Sequence, residues 1–190
     1  SFHNSENITK TRIVDRKFNQ HLIRIDDEVE VKRIDTSKFT KQFAANFDAL
    51  VISDYNKGFL SCDDIKEITS LFKSLSIPIF ADTKKRDLSC FKGSFIKLNK
   101  IENAQSYGLD KSSAIIVTLG KDGAMWNGNI YSSNPVEIHD VCGAGDVFLS
   151  SFVWGYFKFN KDIEKSIKVS NTIASISVQN FGTYCIKKED

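Results

Sequence analysis

The chain has 190 residues, 41% of them hydrophobic and 26% charged, with only 2 prolines. That composition excludes a disordered segment and fits one domain with a sizeable core. The formal net charge of +2, with the 26 basic residues scattered, excludes the dense basic stripe of a nucleic-acid binder. No stretch approaches the ~20 apolar residues of a membrane-spanning helix.

In chain order, residues 8–14 and 20–26 alternate and are partly β-branched, which predicts two short strands. Phe39, Phe43 and Phe47 recur at helical spacing and predict a helix over 37–47. Ala49-Leu50-Val51-Ile52 reads as a buried strand. Ser61 followed three residues later by Asp64 is a capping box that opens a helix to about Leu75. Residues 77–81, 94–98 and 114–119 are further apolar strands, with a short helix between the last two. The turn Asn127-Gly128-Asn129 predicts a hairpin within 123–138. Two helices, roughly 144–157 and 161–179, close the chain, with Ile163, Ile167, Ala174 and Val178 on one face of the second.

Unalternating strands interleaved with helices predict an α/β fold whose mostly parallel sheet is covered on both faces. Residues 1–30 read as a separate small β element. Four cysteines, Cys62, Cys90, Cys142 and Cys185, lie far apart without metal-ligand spacing, which predicts reduced thiols in a cytoplasmic protein. Neither a signal peptide nor an initiator Met is visible at Ser1-Phe2-His3-Asn4.

Each buried strand is followed by a polar residue or glycine: Asp54, Asp82, Asn99 and Gly120. Ligands of open parallel sheets bind beyond the carboxyl ends of the strands, so these positions predict one site on one edge. The sharpest motif is Asp140-Val141-Cys142-Gly143-Ala144-Gly145-Asp146 ahead of an apolar helix. Glycines permit a tight turn with bare N–H groups, and the helix aims its positive end at the same spot, which makes an anion cradle. A carboxylate beside such a cradle repels phosphate, yet it serves where an attacking hydroxyl must lose its proton.

The D-x-x-G-A-G-D run resembles the second signature of the ribokinase-like (PfkB) carbohydrate kinases. The resemblance implies a ribokinase-like three-layer sandwich with a small β lid, ATP and Mg²⁺ as cofactors, and a sugar or sugar phosphate as substrate. It makes Asp146 the catalytic base and assigns the anion hole to Gly143, Ala144 and Gly145. Asn99-Lys100-Ile101-Glu102 resembles the family's N-x-x-E motif, so Asn99 and Glu102 would share an Mg²⁺ shell through water. Thr118-Leu119-Gly120-Lys121-Asp122-Gly123 resembles its T-x-G-x-x-G turn. Asn171, Phe181, Gly182 and Thr183 fall where helix and loop close over the adenine.

Three further segments resemble the bacterial heptose 7-phosphate kinases. Thr9-Lys10-Thr11-Arg12 with Gln20 to Asp26 is similar to their T-x-K-x-R and Q-x-L-x-R-x-D, which implies that Arg12 and Arg24 bind substrate. Ser53-Asp54-Tyr55-Asn56-Lys57-Gly58 is similar to S-D-Y-x-K-G and implies the same for Asp54 and Lys57. Asp82-Thr83-Lys84 is similar to D-P-K and sets Lys84 against the nucleotide phosphates. Dimers through the lid strands are implied as well. The family's additional N-terminal part is absent, so the expectation is one partial kinase domain over 1–190: lid strands within 1–30 and the nucleotide-binding core over 31–190.

Overall fold

The computed structural model describes residues 8–15, 20–29 and 31–187. Residues 1–7, 16–19 and 30 of the expected lid segment lie outside the described residues. Strands β1 (Thr9–Asp15) and β2 (Gln20–Asp27) pair antiparallel in a separate hairpin, with Arg12 opposite Arg24.

The main sheet has the order β3-β4-β5-β6-β7-β8. Strands β3 (Leu50–Asp54), β4 (Ile79–Thr83), β5 (Phe95–Asn99) and β6 (Ala114–Thr118) are parallel. Strands β7 (Ala124–Trp126) and β8 (Asn129–Tyr131) extend it antiparallel. Asn127 and Gly128 both have positive φ, as a two-residue hairpin turn requires. The expected hairpin over 123–138 is shorter than that, because β8 ends at Tyr131 and the chain then runs without regular structure past Pro135.

Side chains alternate across the sheet, so each strand feeds two cores. Ile79, Ala81, Ile96 and Leu98 pack against Ile65, Ile68 and Phe72 of α2 (Cys62–Ser74). On the other face, Phe80 and Ile116 meet Phe148, Phe152 and Tyr156 of α4 (Ala144–Lys158), with Ile167 of α5 (Ile163–Ser177) behind. A short helix, α3 (Lys100–Gln105), leaves the end of β5. None of these helices is long and apolar enough to cross a membrane.

The continuous helix expected over 37–47 is not formed. Thr36–Lys38 makes one 3-10 turn, and α1 is only Lys41–Ala44. Thr40 breaks the run because its hydroxyl accepts the Phe43 N–H as an N-cap, which needs extended backbone at Thr40. The three phenylalanines still touch in sequence, with ring centroids 5.8 and 4.9 Å apart.

The α2 capping box forms as expected: Asp64 N–H donates to the Ser61 hydroxyl, and Ser61 N–H donates to Asp64. Arg33 adds two hydrogen bonds of 2.8 Å to the same buried carboxylate. The Arg33 guanidinium, aided by Ser61, holds the Asp64 carboxyl at about 2. A carboxyl depressed below its unfolded value of roughly 3.9 stabilises the fold above that pH and loses the contribution as pH falls through its folded value. Stability is therefore expected to drop between about pH 4 and pH 2. Urea denaturation across that window checks it, and Asp64→Asn should flatten this part of the profile.

Candidate active site

The carboxyl ends of β3 to β6 and the N-terminus of α4 meet on one edge of the sheet. The loop that leads into α4 is built by Asp140. Its Oδ1 accepts the N–H of Cys142 at 2.9 Å, and its Oδ2 accepts that of Gly182 at 3.0 Å. The N–H groups of His139 and Asp140 donate to the Val178 carbonyl at the end of α5. One aspartate thus fixes the entry to α4 and ties the 180–183 loop beside it, where Phe181 rests edge-on against His139.

Gly143 is the N-cap of α4 with φ 78°, a left-handed conformation that suits glycine. Ala144 does not leave its N–H open, since it donates to the Val141 carbonyl at 3.2 Å. The N–H groups of Gly143, Gly145 and Asp146 have no acceptor among the described residues. These three form the cradle, and the helix dipole favours an anion there. Asp146 is exposed in the first turn, and the Tyr55 hydroxyl donates to its Oδ2 at 3.4 Å. Partial burial, followed by the charges of Asp146 and Asp82, pushes the Tyr55 phenol above its ordinary value and keeps it a neutral donor.

A cavity of about 440 Å³ opens beside the cradle, lined by Thr118, Gly120, Gly123, Asn171, Ala144, Gly145 and Phe148. Val136, Ile138, Ala174 and Val178 give it apolar walls of the kind a flat heterocycle needs. The buried Asn171 amide is committed to β8, donating to the Tyr131 carbonyl at 2.6 Å. Gly182 is tied to the site through Asp140.

At the end of β5, Asn99 and Glu102 form a reciprocal capping box at the start of α3. Glu102 Oε1 is paired with the Lys84 ammonium. Desolvation works against that ammonium, but Glu102 and Asp82 outweigh it and raise the lysine above its ordinary value. Among the described residues no three His, Cys, Asp or Glu side chains group to enclose a metal ion. Mg²⁺ does not require such a cage, since it keeps several waters and takes one or two carboxylates with substrate phosphates. The half-buried Glu102 and Asn99 oxygens fit that outer role.

The remaining expected site residues are placed less directly. Asp54 is buried, and its carboxylate accepts the Asn56 N–H and the Thr83 hydroxyl with Lys85 3.5 Å away, so it organises the β3 and β4 ends. Lys57 pairs with Glu28 at 2.5 Å and anchors the base of the hairpin. Arg12 is exposed, and Arg24 bonds Asp26 on its own strand. The hairpin approaches the site through Lys10, whose ammonium lies 5.6 Å from the Tyr55 ring centroid.

Nothing local in the sequence ties Tyr55 to Asp146, because 91 residues separate them. Lys97 does carry a local signal, as a lysine inside the apolar run Phe95-Ile96-Lys97-Leu98.

The sequence aligns with bifunctional proteins named HldE. That of Hydrogenovibrio crunogenus is 30% identical over 213 aligned positions, covering 97% of this chain and 43% of the relative. That of Campylobacter curvus is 29% identical, covering 94% and 43%. The chain therefore spans less than half the length of these relatives. Among solved structures, phosphofructokinase-2 from Escherichia coli superposes with a TM-score of 0.70 at 16% identity, covering 92% of this chain and 65% of the other. Arabidopsis thaliana ribokinase complexed with ribose and ATP gives a TM-score of 0.66 at 16% identity, covering 87% and 61%. The fold is the ribokinase-like α/β sandwich with a small antiparallel hairpin beside it. Residues 3–189 match the pfkB family of carbohydrate kinases, and the chain belongs to that family.

Proposed function

We propose that this chain transfers the terminal phosphoryl group of ATP to a sugar hydroxyl. The acceptor in this reading is D-glycero-D-manno-heptose 7-phosphate, phosphorylated at its anomeric oxygen. The observation that carries the chemistry is the exposed Asp146 carboxylate beside three open N–H groups at the mouth of an apolar-walled cavity. A carboxylate so placed takes the acceptor's hydroxyl proton as its oxygen attacks the terminal phosphorus and ADP leaves. The N–H groups of Gly143, Gly145 and Asp146 face the charge that spreads over the transferring oxygens. Thr118, Gly120 and Gly123 floor the nucleotide cavity, and Lys84 contributes a point charge toward the phosphates. Glu102 and Asn99 would hold Mg²⁺ through water, and the ion would supply charge neutralisation for the phosphates.

The heptose assignment draws support from the segments at 9–26 and 53–58 and from the HldE relatives. Tyr55 and Lys10 join those two segments at the site, where a sugar phosphate would meet the lid. Exposed Ile13, Leu22, Ile23 and Ile25 on the hairpin support a homodimer through the lid strands. ATP and sugar phosphates as substrates imply a cytoplasmic location.

A panel of sugars and sugar phosphates, read by ADP release, tests the assignment. Heptose 7-phosphate should exceed fructose 6-phosphate and ribose by about 10²-fold or more in kcat/KM. Equal rates across the panel would contradict the heptose reading and leave a broader sugar kinase. Nucleotide binding without turnover is the outcome that contradicts the kinase reading. ATP-dependent thermal stabilisation with no ADP release on any acceptor would show it.

A further inference from the structure

One buried ion pair has no part in the mechanism above. Lys97 is 5% exposed and Asp82 8%, and they are register partners on neighbouring strands β5 and β4. The ammonium lies 2.5 Å from Asp82 Oδ2. Two residues earlier on the same strands, Phe80 and Phe95 stack with centroids 5.4 Å apart beneath Phe152 and Tyr156 of α4. Alternate residues share a face, so Asp82 and Lys97 continue that row to the point where α4 begins.

There the helix makes room for them. A Cβ built on Gly145 would stand 2.7 Å from the Lys97 ammonium and 4.0 Å from Asp82 Oδ2. The pair is neutral overall, but its positive end is the one under the first turn of α4. Taking two charges out of water is costly, and an apolar pair commonly stabilises a core as well or better. The phenylalanines next door are what this face uses when packing alone is required. Asp82 Oδ1 is also buried without a hydrogen-bond partner among the described residues, and Lys84 stands off at 3.9 Å. A polar arrangement this incompletely satisfied points to a use beyond stability.

We infer that Lys97 is a positioning residue for phosphoryl transfer: a buried cation, aimed by Asp82, that fixes a positive potential beneath Gly145 and favours a triphosphate in the cradle over a monophosphate. The inference rests on the kinase reading. Gly145 has no side chain because the ammonium occupies that space, and low local polarisability makes the orientation of the pair count.

The test uses the 190-residue chain. Lys97→Met alone strands a buried carboxylate and should lower the unfolding temperature. Lys97→Met/Asp82→Asn removes both charges at nearly constant shape, and Lys97→Gln/Asp82→Asn keeps a neutral hydrogen bond should the first pair fail to fold. Calorimetric titrations with magnesium adenylyl imidodiphosphate and with AMP provide the readout. A folded double variant is expected to bind AMP as wild type does and the triphosphate analogue about tenfold more weakly or worse. Equal binding of the analogue by wild type and the folded double variant would overturn the inference and leave the kinase reading intact. Failure of the wild-type chain to bind the analogue would overturn both.

Discussion

Asp146→Asn is expected to lower turnover by about 10²–10⁴-fold while ATP affinity changes by no more than about twofold. The asparagine keeps the size of the side chain and can still accept from the Tyr55 hydroxyl, which lies 3.4 Å from the carboxylate. What it loses is the capacity to take a proton. The open N–H groups of Gly143, Gly145 and residue 146 remain, so the cradle is unchanged. Removing a negative charge beside that cradle also relieves repulsion, so nucleotide binding has no reason to weaken. Steady-state kinetics with calorimetric binding on the same preparation separates the two quantities. Parallel loss of both would show that Asp146 holds the loop in place instead of accepting the proton.

Gly123→Ala carries the largest expected stability effect. Gly123 sits at φ 94° and ψ −130°, a region of backbone space open to glycine and strained for any other residue. A Cβ there would fall 2.1 Å from the Tyr131 carbonyl oxygen and 2.7 Å from the Ser133 nitrogen. Both are backbone atoms, so no rotamer change relieves the clash. Strain and overpacking together should cost about 2–5 kcal/mol. The damage extends to the site, because Gly123 lines the cavity beside the cradle and its carbonyl accepts the Leu119 N–H at 2.7 Å. Gly120→Ala is the control: φ is 65°, but nothing lies within 4 Å of the added carbon. That variant should lose only about 1–2 kcal/mol. Urea denaturation of the two side by side distinguishes a glycine needed for close approach from one needed for a turn.

The features legible in the sequence were those whose physics is local. The Ser61/Asp64 capping box lies within four residues, and it forms. The glycines of 140–146 announce a turn whatever surrounds them, and the parallel sheet follows from four apolar strands that do not alternate. Over 37–47 the phenylalanine spacing favours a continuous helix, but the preference of Thr40 for an N-cap wins and restarts the helix at Lys41. The cradle itself was only partly readable. Ala144 N–H turns back to Val141, and that depends on how the preceding loop is tied by Asp140 to Gly182 and by Val178 to the backbone of 139–140.

Long-range pairings were hidden for the same reason. Lys97 meets Asp82 only because β4 and β5 pair in one register, and a one-residue slip would send the lysine to the opposite face. Tyr55, just after β3, reaches Asp146 in the first turn of α4. Lys10 meets the Tyr55 ring only because the hairpin folds over the end of β3.

³¹P NMR of this chain with Mg-ATP and D-glycero-D-manno-heptose 7-phosphate tests the proposed phosphoryl transfer at its product. A new anomeric phosphate resonance is expected to grow as the terminal ATP signal falls, and to be absent with Asp146→Asn. Nucleotide that binds without any new phosphate ester, or an ester formed equally well by Asp146→Asn, would contradict the proposal.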